Sequence, residues 1–128
     1  MKISTKFQYG LRAMIFLAKS KKRVIPLSEI AKRESLSFDY LEKIMARLEK
    51  EKLVKSKKGI QGGYFLAKKT EKIKMKDIFK VLEGNRKLVK CLFQFCPREK
   101  DCSAKIVWQK LDKAINKTLK EITLNDLI

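Results

Sequence analysis

The chain has 128 residues, 45% of them hydrophobic, enough to bury a core as one domain or one domain with a short appendage and too apolar for a disordered tail. Its 32 basic residues against 14 acidic ones give a net charge of +18, a field that attracts polyanions; duplex DNA is the densest of these, although RNA, an anionic membrane surface or a solvated face fit the charge alone. There is no histidine, which removes every Ser-His or Cys-His nucleophile pair and the commonest general base, so an enzyme is not expected.

No apolar run approaches the roughly 20 residues of a membrane span. Met1-Lys2-Ile3-Ser4 leads into an amphipathic pattern rather than a signal-peptide core. A cytoplasmic location is expected, with no membrane partner and with the three cysteines reduced.

Phe7, Leu11, Met14, Ile15 and Ala18 form the stripe of an amphipathic helix over roughly residues 4–19. A basic break, Lys19 to Arg23, comes after it, and Pro26 marks the next start. Ile30 and Ala31 share one face of a short helix ending near Glu34, and Ser35-Leu36-Ser37 makes a tight turn with Leu36 pointing inward. Ser37 suits an N-cap, and Asp39 and Glu42 bring negative charge to the positive helix end. Leu41, Ile44, Met45 and Leu48 then give a second stripe, so the pair reads as helix-turn-helix. An ordinary helical hairpin fits the same spacing.

The next segment of chain favours helix-turn-helix. Leu53 to Ser56 and Tyr64 to Ala67 read as strands around Lys57-Lys58-Gly59-Ile60-Gln61-Gly62-Gly63, which holds three of the five glycines. A hairpin directly after a recognition helix is a wing, here flanked by Lys57, Lys58, Lys68 and Lys69. Ile78, Phe79, Val81 and Leu82 predict a short helix stopped by Gly84. Residues 85–101 read as irregular, and from about Ser103 a long helix resumes through Ile106 or Val107, Leu111, Ala114 or Ile115, Thr118 or Leu119, and Ile122. Its length exceeds what a winged helix needs to cover itself, so a second copy of the same helix is the expected partner, with 122–128 capping the bundle.

The resulting fold class is mainly α with a small β-hairpin: a winged helix-turn-helix plus a long C-terminal dimerisation helix. The expected units are a DNA-binding domain at 1–83, a cysteine-bearing loop at 84–102, and a dimerisation helix with its cap at 103–128.

These residues resemble the Rrf-type family of bacterial winged-helix repressors that includes IscR, NsrR and CymR. The similarity runs through the first fourteen residues, Leu27-Ser28-Glu29-Ile30-Ala31, Tyr40-Leu41-Glu42-Lys43-Ile44, Leu53-Val54, the cysteine loop and Ile122 to Leu127. Its most specific piece is the wing motif Gly59-Ile60-Gln61-Gly62-Gly63-Tyr64. The resemblance implies a homodimer on a palindromic or near-palindromic operator in double-stranded DNA. It also implies that Asp39, Tyr40, Glu42, Lys43 and Arg47 face the major groove while Lys58 enters the minor groove. Ser37 and Lys57 complete the candidate DNA-binding set. The helical wheel independently puts Asp39, Lys43, Ala46, Arg47 and Lys50 away from the buried stripe, and Lys43 and Arg47 suit guanine edges, each worth about 1–3 kcal/mol.

Cys91-x4-Cys96-x5-Cys102, with Pro97 after the second cysteine, resembles the family's iron–sulfur loop. Three thiolates within twelve residues suit a soft metal or a cluster, and Lys90, Arg98 and Lys100 favour the thiolate form. Ordinary buried cysteines are the competing reading. The resemblance implies a [2Fe-2S] or [4Fe-4S] cluster on Cys91, Cys96 and Cys102. The fourth ligand departs from the family: Lys105 stands where IscR-like members have histidine, Gln8 where NsrR-like members have aspartate, and the first spacing is one residue short. Glu99, Asp101, Gln8, a partner carboxylate, or an exogenous thiol or water are the remaining candidates.

The expected function is a transcriptional regulator, a repressor by resemblance, that senses iron–sulfur, redox or nitric-oxide status. A cluster-free regulator of the CymR kind, controlled by a protein partner, is the alternative. A small electron-transfer iron–sulfur protein and a sequence-independent nucleoid or RNA-binding protein are further rivals.

Overall fold

Ser4 opens the fold: its hydroxyl accepts the Phe7 amide at 3.1 Å and caps α1 (Thr5–Lys19). The computed structural model describes residues 2–84 and 99–128. Phe7 and Met14 of the expected stripe are buried, while Leu11, Ile15 and Ala18 are half-buried, because the deepest line of α1 also takes in Gly10, Ala13 and Leu17. Gly10 lies on that line, facing Leu82. A Cβ there would lie 2.2 Å from Leu82 Cδ1, so the bare backbone is what lets α1 and α4 (Met75–Glu83) approach.

α2 (Leu27–Glu34) buries Leu27, Ile30 and Ala31. It ends at Ser35, which is left-handed (φ 53°), and the Leu36 amide returns to the Ala31 carbonyl at 2.9 Å, so Leu36 turns in against the core as expected. Ser37 Oγ then accepts the Tyr40 amide at 3.4 Å and starts α3 (Phe38–Lys50). All four residues of the α3 stripe, Leu41, Ile44, Met45 and Leu48, are buried. Ion pairs from Arg12 to Glu34 (2.8 Å) and from Lys22 to Glu29 (2.9 Å) hold α2 on the outside; each is exposed on its basic side and stabilises by at most about 1 kcal/mol.

β1 (Val54–Lys57) and β2 (Gly63–Leu66) pair antiparallel, with Val54 opposite Leu66 and Lys57 opposite Gly63. These bounds lie one residue from the expected ones, yet the Leu53 carbonyl still accepts the Ala67 amide at 3.1 Å. A third segment joins the hairpin. Ile25 and Tyr64 exchange both backbone hydrogen bonds, at 3.0 and 2.8 Å. Gly63 makes this close pairing feasible, since a Cβ there would sit 2.2 Å from the Ile25 carbonyl oxygen.

α4 stops at Gly84, whose φ is +76°. A short 3₁₀ turn at Glu99–Asp101 precedes α5 (Ala104–Glu121), which has no fully buried residue. The chain end is stitched back into the N-terminal core: the Met75 amide donates to the Ile122 carbonyl at 2.9 Å, the Leu124 amide to the Ile73 carbonyl at 2.8 Å, and Leu124 is fully buried. Burying one leucine stabilises by about 1.5–3 kcal/mol, so residues 122–128 help hold the winged helix itself.

Candidate nucleic-acid interface

With its stripe sunk into the core, α3 turns Asp39, Glu42, Lys43, Ala46, Arg47 and Lys50 to solvent. Ser37, at the helix start, is exposed too. Tyr40 differs: it is half-buried, with its ring edge-on to Tyr9 at 5.8 Å between centroids, and so packs α3 on α1. Asp39 lies in the first turn, where a carboxylate complements the helix dipole.

Lys57 and Lys58 are exposed on the hairpin, as are Lys55, Lys68 and Lys69. The structure thus puts the exposed arc of α3 and a lysine-rich hairpin side by side on one short stretch of chain. Burial, and then the charges of Glu49 and Glu42 on α3, raise the Tyr64 phenol above the ordinary 10.0, and Tyr64 lies one pair from the turn, opposite Ser56.

Two large apolar side chains in this region have no place in the sequence-based site: Phe38, on the first turn of α3, and Ile60, at the hairpin tip, both exposed. The sequence signal for Ile60 is a β-branched residue inside a glycine-rich turn, where turn chemistry does not favour one.

Of the candidate metal ligands, Cys91 and Cys96 lie outside the described residues. Cys102 is a free, half-buried thiol just before α5. Asp101 beside it is exposed, Lys105 is half-buried, and Gln8 is exposed, with its side-chain amide donating to the Ile3 carbonyl at 3.1 Å. Among the described residues, no group of three or more His, Cys, Asp or Glu side chains is gathered to hold a metal, and no helix is long and apolar enough to cross a membrane.

Comparison with known proteins agrees with this geometry. Residues 3–128 match the family model Rrf2, described as an iron-dependent transcriptional regulator. The whole chain is similar to the protein rrf2 of Nitratidesulfovibrio vulgaris, at 34% identity over 131 residues and 87% of that protein. It superposes on CymR, the global cysteine regulator of B. subtilis, with a TM-score of 0.82, 38% identity, and 99% and 95% of the two chains covered. On T. potens IscR the values are 0.80, 43%, 99% and 85%. The chain belongs to the Rrf2 family, winged-helix DNA-binding transcriptional regulators rather than enzymes.

Proposed function

We propose that the chain is a sequence-specific repressor that binds a palindromic operator as a homodimer in the cytoplasm, and that its occupancy of DNA follows an iron–sulfur cluster. The observation that carries the DNA half is the exposed arc of α3 beside the lysine wing, over a fully buried stripe. Lys43 and Arg47 read base edges in the major groove; Ser37, Asp39, Tyr40 and Glu42 set the fit of the helix, and Lys57 and Lys58 hold the flanking backbone and minor groove.

The dimer reading rests on α5. Ile106 (55% exposed), Val107 (51%) and Leu111 (44%) share one arc with the exposed Ala114, while Leu119 and Ile122 pack on the chain's own core. A second copy of α5 covers that arc and sets two α3 helices in two-fold relation, which is why the operator is palindromic.

Cys91, Cys96 and Cys102 would hold the cluster; three thiolate donors fit a soft iron centre. Such a cluster supplies sensitivity to oxygen or nitric oxide. The protein's own part is to carry the ligand at Cys102 on the chain entering α5, so that cluster binding or loss is felt at the dimer helix. A shift of this kind is limited by the cluster's differential affinity for the two states.

A cluster-free regulator controlled by a partner protein is the second reading. It is favoured by Lys105 and Gln8, neither a strong iron ligand, and by the likeness to CymR. Anaerobic purification with iron and sulfide analysis and a visible spectrum, followed by DNA binding with and without the chromophore, tests the sensor. The expected result is a coloured protein whose DNA affinity changes when the cluster is lost. A colourless protein whose C91A, C96A and C102A variants bind DNA like the parent selects the second reading.

A further inference from the structure

The tip of the wing carries a large apolar side chain that is fully exposed in the described structure. Gly59 to Gly62 forms the reversal of the hairpin, closed by the Gly62 amide on the Gly59 carbonyl at 3.0 Å, and Ile60 occupies its first corner. Ile60 is 106% exposed, the most exposed of the large hydrophobic residues in the described structure. Turn corners favour Gly, Pro, Asn, Asp or Ser, and a β-branched residue gains nothing there from backbone preference or from packing. Glycines are what this reversal needs: Gly59 takes φ +108°, and a Cβ on Gly62 would lie 2.2 Å from the Lys57 carbonyl oxygen. The backbone shape is therefore set without Ile60.

Its neighbours indicate the occupant. Exposed Lys57 and Lys58 precede it and exposed Gln61 comes next, so an apolar tip projects from a cationic and amide collar. Lysines complement phosphates on both walls of a groove, and Gln is a hydrogen-bonding reader of the minor-groove edge. A bare aliphatic group between them matches the apolar wedge with which minor-groove proteins part a base step.

We infer that Ile60 is such a wedge. It enters the minor groove ahead of Lys58 and partly unstacks one base step in each half-site, so the wing selects DNA by deformability as well as by charge. Flexible pyrimidine–purine steps, TA or CA/TG, are favoured where the tips enter. This rests on the DNA-binding reading above, and adds that the wing is specific rather than merely cationic.

The test uses the full chain and a 30-bp duplex that it has selected from a randomised pool, with 2-aminopurine placed at successive steps of each flank. The wild type should raise the fluorescence at one step per half-site. I60A and I60N should lose that signal and bind the same duplex about tenfold more weakly. K58A should keep the signal while its salt slope falls by about 0.9. Since Ile60 is fully exposed in the described structure, unchanged melting curves for the Ile60 variants separate a lost wedge from a lost structure. Selective binding by the wild type with no fluorescent step, or an I60A that keeps both signal and affinity, overturns the wedge and leaves the regulator reading standing. Failure of the wild type to select any duplex sinks both.

Discussion

Lys43 and Lys58 carry the same charge, but the structure gives them different consequences. Lys43 and Arg47 stand on the exposed arc of α3, which is anchored by its fully buried stripe. Replacing either by alanine should cost about 1–3 kcal/mol on the selected duplex and much less on random DNA. Replacing Lys58 should weaken both by similar factors and lower the salt slope; titrations at several salt concentrations tell the two behaviours apart. Tyr64 makes a prediction in pH. Its folded-state pKa lies above the ordinary 10.0, so above that value the folded chain holds a proton that the unfolded chain releases. Its contribution is intact below about pH 10 and is lost as the pH rises toward the folded pKa. In thermal melts Y64F should lose less stability than the wild type between about pH 8 and about pH 11; an identical alkaline loss would show that Tyr64 plays no part in it.

At the scale of elements, helix stripes and caps were legible in the sequence because they are local. Leu41, Ile44, Met45 and Leu48 recur at helical spacing, and Ser37 just before the stripe reads as an N-cap. The bridge between Ile25 and Tyr64 was not legible, nor was the stitching of Ile122 and Leu124 to Met75 and Ile73, since these pairings join distant positions and leave no periodic mark. Gly63 shows the difference. In sequence the wing glycines read as turn residues that also allow a close approach, and what the sequence did not name is the neighbour, the Ile25 backbone. G63A should therefore destabilise by about 1–3 kcal/mol in chemical denaturation, far more than a substitution at a free turn. For α5, replacing Val107 or Leu111 by aspartate should turn the proposed dimer into a monomer in sedimentation while the helical signal is kept. A dimer that survives both changes would place the interface elsewhere.

At the scale of the molecule, the winged helix, the C-terminal return and α5 form one frame that, by the proposal, carries a DNA-reading surface on α3 and the hairpin and a partner on α5. The candidate DNA face was legible because an amphipathic helix declares both of its sides. The candidate sensor was legible only as chemistry: three thiols in twelve residues name a class of ligand, and Cys91 and Cys96 lie outside the described residues. Selective recognition of DNA by α3 is the central claim, and competition binding tests it most directly. The wild-type chain is titrated onto its selected duplex against an excess of random duplex, beside a chain in which Lys43 and Arg47 are both alanine. The predicted result is a preference of at least about a thousandfold for the wild type, falling by one to two orders of magnitude or more in the double variant. Equal affinity of the wild type for both duplexes, or a double variant as selective as its parent, would contradict it.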